Sequence, residues 1–326
     1  MRNCSLLLFA VALLAFGCTK EASKVVTPEA STATISGARV AKSGVDLSRV
    51  NALVQKINAS LAAKGKTMQV DKVWFFTKGL GVDPYQSLRI GSSWPKANLT
   101  YVIDASDNTA DLPAATTEKT LVDAYESWNS IQNVKLKTAR IADDGRNNDY
   151  LDALTPIVQN GDTVGYDIYD QDWVGLKQDN LPADIVVGGW LDPEYFSLGM
   201  GSADIIAVTW TFSDADGTIN GTKDGYPDIV YVEQYYNKAF KWTVEGSKYL
   251  DFTPSALTDL ESIAVHENGH ALGLDHFGGP VGEHQPFKLQ PNQKVYNPEA
   301  VMNPGYLGGE KRMPYPTDVA GLRTMY

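Results

Sequence analysis

Residues 266–276 read His-Glu-Asn-Gly-His-Ala-Leu-Gly-Leu-Asp-His and hold three of the chain's four histidines. The pattern H-E-x-x-H-x-x-G-x-x-H has a mechanical reason at each place. On a helix, His266 and His270 are four residues apart, so their imidazoles project from one face, one turn from each other, close enough to share one ion. Glu267 lies about 100° round the same helix, beside the ion rather than on it, which is the place for a general base. Gly273 follows the last turn, where a residue free to take positive φ lets the chain reverse and bring His276 back. Three protein ligands leave a fourth position open, which distinguishes a catalytic zinc site from a closed structural one. Zinc there lowers the pKa of its water to about 7, and Glu267 can take that water's proton as it attacks a carbonyl. Amide hydrolysis is the expected chemistry.

Such a site needs a rigid helix and a framework behind it. The spacing predicts the helix from about Thr258 to Leu272, with Thr258 and Glu261 at capping-box separation. Upstream, Leu99–Ile103, Ile185–Val187, Ile205–Phe212 and Ile229–Val232 read as strands, and Glu118–Ile131 as a helix with Leu121, Ala124, Tyr125 and Trp128 on one face. Runs of strands followed by a helix-borne site predict an α+β fold. Ile205–Phe212, rich in β-branched and aromatic residues, reads either as an edge strand able to pair with an extended peptide along Val208–Thr211 or as an interior strand.

The motif resembles that of the metzincin metallopeptidases. Downstream, Asn297-Pro298-Glu299-Ala300-Val301-Met302-Asn303-Pro304-Gly305-Tyr306 looks like the Met-turn of the matrixin branch, and Pro316-Thr317-Asp318-Val319-Ala320-Gly321-Leu322-Arg323 is similar to the start of that branch's last helix. The resemblance is strongest over residues 257–326 and weaker upstream to Trp94. It implies a metzincin-like (zincin) catalytic domain with a twisted mixed sheet, an active-site helix and a Met-turn. It also implies a zinc-dependent endopeptidase acting on a protein or peptide. His266, His270 and His276 would be the ligands, Glu267 the base, Met302 the apolar floor and Tyr306 one wall of the substrate pocket. Read by themselves, Met302 is a core filler and Tyr306 a buried aromatic. Asp275 could orient the third histidine or be a solvated loop carboxylate. His284 reads as an ordinary loop residue, so one catalytic zinc and no second is expected. Calcium is a further candidate at Asp214-Ala215-Asp216-Gly217 and Asp224-Gly225, although the spacing departs from an EF-hand. The alternatives are a zinc amide or ester hydrolase of a non-protein substrate, and a non-catalytic surface binding lipoprotein on a peptidase fold.

The N-terminus points to export. Arg2 precedes an apolar run from Leu6 to Phe16, too short to span a bilayer and suited to a signal-peptide core (1–17). Leu14-Ala15-Phe16-Gly17-Cys18 resembles a bacterial lipoprotein processing site, which would leave a lipid on Cys18 as the membrane attachment, facing the cell surface or periplasm; simple secretion is the alternative. Residues 18–45 have a tether's composition. In the stretch 46–93, Leu47, Val50, Val54, Ile57 and Leu61 mark an amphipathic helix capped by Asp46, either part of a pro-segment or packed on the catalytic domain, 94–326.

Cys4 and Cys18 are the only cysteines, so the body of the chain can form no internal disulfide and no propeptide thiolate can cap the zinc. With 326 residues, 43% of them apolar, the chain can bury a substantial core. Its net charge of −11 argues against nucleic acid as a partner.

Overall fold

Asp46 opens the first helix, α1 (Leu47–Ala63), by accepting the backbone N–H groups of Ser48 at 3.0 Å and Arg49 at 3.4 Å. The computed structural model describes residues 45–79, 93–104, 108–109, 111–145, 149–151, 154–168, 181–214, 228–248, 251, 255–280 and 296–326. All of these lie in one contact unit, Ala33–Tyr326. The signal-like run, Cys18, most of the tether, the acidic turns after Asp214, and His284 fall outside the described residues.

After α1 come β1 (Met68–Lys78), β2 (Asn98–Ile103), α2 (Ala114–Asn129), β3 (Lys137–Arg140), the hairpin β4 (Leu154–Gln159) and β5 (Asp162–Ile168), and β6 (Ile185–Leu191). A π-helical turn, Tyr195–Gly199, leads to β7 (Ile205–Asp214), β8 (Ile229–Asn237), β9 (Lys241–Thr243) and β10 (Leu257–Asp259). Next are α3 (Leu260–Ala271), β11 (Gly279–Pro280), β12 (Tyr296–Asn297), β13 (Gly305–Tyr306) and α4 (Pro316–Met325). The main sheet runs β13-β1-β7-β8-β6-β2-β3 and is mixed: β1 and β8 are antiparallel to β7, and the remaining pairings are parallel. The architecture is α+β, as the strand and helix pattern predicts.

Alternate residues of β6 and β2 enter different clusters, which places the two hydrophobic cores on opposite faces of the sheet. Ile185 and Val187 of β6 join Leu99, Tyr101 and Ile103 of β2 with α2 and α3 in the first core. Val186 and Val102 join Val50, Leu53, Val54, Ile57 and Leu61 of α1 in the second. Of the α1 face expected from the periodicity, only Leu47 is half-exposed, and Leu53 is buried beside the rest.

Two helix starts differ from the sequence reading, and the position of one strand is decided. Helix α2 begins at Ala114, not Glu118: it starts directly after Pro113, and within it the Thr117 and Thr120 hydroxyls donate to the carbonyls of Pro113 and Thr116 one turn back. Helix α3 is capped by Asp259, which accepts the Ser262 N–H at 3.1 Å; Glu261 pairs with Arg312 at 3.2 Å instead of closing a box with Thr258. Strand β7 is interior, with β8 on one side and β1 on the other, so the edge-strand reading of Val208–Thr211 does not hold in the whole chain. Its partner β1 comes from the 46–93 stretch. Among the described residues of 94–326, no strand pairs with that side of β7.

Candidate metal centre

Helix α3 is fixed at both ends and along one face. At its start, Asp259 is wholly buried and salt-bridged to Arg312 at 2.5 Å. Along its length, the Trp128 indole of α2 donates to the Val265 carbonyl at 2.8 Å. At its end, the Trp94 indole donates to Ala271 at 2.8 Å and the Tyr326 hydroxyl to Leu272 at 3.0 Å, so carbonyls left over by the helix are satisfied. Gly273 takes φ +96°, and the Gly273 and Leu274 N–H groups close back on His270 and Gly269, both at 2.9 Å, as a Schellman turn. That reversal returns His276 to the helix.

The three histidines converge. His266 donates through Nδ1 to the Val301 carbonyl at 2.8 Å, and His270 through Nδ1 to the Leu274 carbonyl at 2.8 Å. A carbonyl only accepts, so both imidazoles carry their proton on Nδ1 and present a lone pair at Nε2. The Nε2 atoms of His266, His270 and His276 are 3.0, 3.1 and 3.3 Å apart. Two nitrogens bound tetrahedrally at about 2.0–2.1 Å to one zinc would be about 3.3–3.4 Å apart. Lone pairs facing each other at these distances repel unless a cation sits among them, so the triad could bind a metal ion, and it is the one such group of His, Cys, Asp and Glu among the described residues. Burial pushes His266 and His270 well below their ordinary value, with His276 adding to the effect, which keeps them neutral as ligation requires.

Residues 207–281 match the matrixin family model. The matched stretch runs from β7 through all three histidines and Glu267, and ends before Met302 and Tyr306. It supports a matrixin-like domain and, in general terms, a zinc metallopeptidase acting on proteins or peptides. No curated protein matches the chain.

Within this matrixin-like region, Glu267 is buried, and its Oε2 accepts the Thr209 hydroxyl of β7 at 2.5 Å. Its Oε1 has no hydrogen-bond partner among the described residues. Burial pushes the carboxyl up to about 8, against the opposing effect of Thr209. Asp275 accepts the His276 backbone N–H at 2.8 Å. Met302 is buried against α3 at Gly269, where an added Cβ would come within 2.2 Å of its sulfur. Gly269 is thus a point of close approach. The Tyr306 hydroxyl accepts the Asp259 N–H at 3.1 Å, donates to Gly309 at 3.0 Å and shares a hydrogen bond with Ser247 at 2.5 Å, tying the 305–309 segment to the start of α3.

Sequence reasoning missed four residues that shape this centre. Thr209 holds Glu267. Trp74 stacks on His270, with ring centroids 4.7 Å apart and 4° between planes, and Phe76 stacks on His266 at 3.6 Å and 6°. Asp318 of α4 accepts the N–H groups of Val301 at 2.8 Å, Met302 at 3.2 Å and Tyr315 at 2.8 Å. Asp318 is therefore a positioning residue: it fixes the turn whose Val301 carbonyl orients His266 and whose Met302 carbonyl accepts the Phe277 N–H at 2.7 Å. An aspartate at N3 of a helix beginning with proline was the available signal, but it reads as an ordinary cap.

Asp318→Ala leaves three buried donors unpaired and should lower the stability of the metal-free chain by about 2–5 kcal/mol, read from urea denaturation. Zinc affinity, measured by competition with a chromogenic chelator, should fall about 10–100-fold as His266 loses its orientation. Unchanged affinity would show that the Val301–Met302 turn keeps its place without the carboxylate.

Proposed function

We propose that the chain is a zinc-dependent endopeptidase in which His266, His270 and His276 hold the metal through Nε2 and Glu267 is the general base. The observation that carries this reading is the convergence of three imidazole Nε2 atoms beside a buried carboxylate that has one oxygen without a partner among the described residues. Zinc bound there supplies Lewis acidity, polarising a substrate carbonyl and acidifying a water. Glu267 takes the proton of the attacking water at Oε1 while Thr209 holds Oε2, so the carboxylate stays aimed as its charge changes. The hydroxyl oxygen adds to the carbonyl carbon, the C–N bond breaks, and Glu267 hands its proton to the departing nitrogen. Met302 serves as the apolar floor behind α3, and Tyr306 stands beside the cleft.

A structural zinc would want a fourth protein ligand, which the triad lacks among the described residues, and has no use for a carboxylate kept out of water at this cost. Chain carrying Trp74→Ala/Phe76→Ala, which takes the two rings off the histidines, should cleave an unfolded protein, lose that activity on removal of zinc with a chelator and regain it on adding the metal back. Cleavage that survives complete zinc removal would exclude the reading.

Export as a lipoprotein is proposed on the sequence alone, from Arg2, the Leu6–Phe16 run and Cys18. In a bacterial host, mass spectrometry of the membrane fraction should find acylated Cys18 as the N-terminus, and a Cys18→Ser chain should leave that fraction or stay unprocessed. An unmodified N-terminus well beyond Cys18 in the membrane fraction would rule the anchor out.

A further inference from the structure

Strand β1 stands over the histidines. Trp74 lies flat on His270 and meets His276 edge-on at 5.8 Å, and Phe76, two residues on, lies flat on His266 and meets Tyr306 at 6.0 Å. Beneath them His266, Glu267 and His270 are 0% exposed and His276 6%. The backbone of β1 is paired on both sides. It runs antiparallel to β7 from Met68 to Thr77 and parallel to β13 at Thr77–Gly305 and Lys78–Tyr306. Thr209, which holds Glu267, is the register partner of Trp74 itself.

A peptide substrate of this centre has to lie extended, so that one carbonyl reaches the triad and Glu267 while neighbouring backbone groups find partners. Strand β1 already has that form, with its alternate side chains aimed at the ligands. Neither an indole nor a phenyl ring offers a metal ligand, and with Cys4 and Cys18 the only thiols, none lies in β1. The cover acts by occupying space and backbone, not by binding the ion.

We infer, resting on the peptidase reading above, that β1 is the resident occupant of the substrate cleft. The full chain is latent until β1 leaves, and the cleft takes extended peptides with large aromatic side chains two residues apart, where Trp74 and Phe76 now lie. The departure involves more than one strand, because Val73 and Phe75, the intervening residues, belong to the second core together with α1.

The test uses the full chain loaded with zinc and reads how fast excess chelator strips the metal, a measure that needs no catalysis. Trp74→Ala/Phe76→Ala should lose zinc at least about tenfold faster than the parent, since opening no longer breaks the ring stacks. As a second variant that keeps the cover intact, Phe75→Cys/Val208→Cys joins register partners of β1 and β7, in a chain also carrying Cys4→Ser and Cys18→Ser. Oxidised, this variant should hold its zinc at least about tenfold longer than when reduced, because a cross-strand disulfide forbids the opening. Equal rates in the oxidised and reduced forms, or stripping of the alanine variant at the parental rate, would overturn the inference.

Cleavage then separates this idea from the one beneath it. The alanine variant should hydrolyse an unfolded protein faster than the parent, and should prefer a peptide containing Trp-x-Phe over its Ala-x-Ala counterpart by about tenfold or more in kcat/KM. Equal kcat/KM values would remove the aromatic preference. If zinc release follows the strand but no form cleaves any protein, β1 stands as a cover, and the peptidase reading falls together with the substrate class drawn from it.

Discussion

Replacing Glu267 by glutamine should lower peptide cleavage by about 10²–10⁴-fold and leave the zinc content unchanged. The amide keeps the size and accepts the Thr209 hydroxyl through its oxygen, but it cannot take a proton from water. Because β1 shields the centre, the comparison is made in the Trp74→Ala/Phe76→Ala background, where the cover opens more readily. Zinc content by elemental analysis and turnover of an unfolded protein are measured on the same sample. A glutamine variant that kept most of its turnover would move the base to another residue; one that lost its zinc would make Glu267 a ligand.

His270→Ala should abolish metal binding. His270 is the middle nitrogen of the triad, within 3.0 and 3.1 Å of its two partners, and two remaining imidazoles on a reversed chain do not retain zinc through dialysis. Added zinc should raise the thermal midpoint of the wild-type chain, by an amount equivalent to about 4 kcal/mol at a thousand times its Kd, and should do nothing for the variant. Comparing both proteins without metal isolates the packing lost beneath Trp74. Undiminished zinc in the dialysed variant would end the assignment of His270 as a ligand.

The geometry of the centre was legible because it is local: His266, Glu267, His270, Gly273 and His276 lie within eleven residues, and one helix with the reversal at Gly273 brings the three histidines to one point. The faces of α1 and α2 were legible for the same reason. What the sequence withheld depends on partners far along the chain. Trp74 and Thr209 carry nothing in their own neighbourhoods to say that they are register partners. Strand β7 reads as an edge or an interior strand with equal justice until β1 is seen beside it. The cap of α3 was misplaced by one residue because Thr258 and Glu261 satisfy the spacing rule, whereas Arg312, some fifty residues on, decides in favour of Asp259. Asp318 was visible as the start of a helix but not as the support of a turn on another segment.

Successive residues of β1 serve opposite faces of the sheet, so the packing of α1 and the accessibility of the histidines are one equilibrium. Ile57 lies in the second core, across the sheet from the triad, yet whatever loosens it also loosens the hold of Val73 and Phe75, and with them the grip of β1. The cover over the histidines is therefore only as firm as the packing of α1. Unfolding rates climb about 3–6-fold for every ten degrees, and elements open locally at lower cost than the whole domain unfolds. Heat or a mild denaturant would each raise the share of molecules with exposed histidines while β8, β6 and β2 stayed intact.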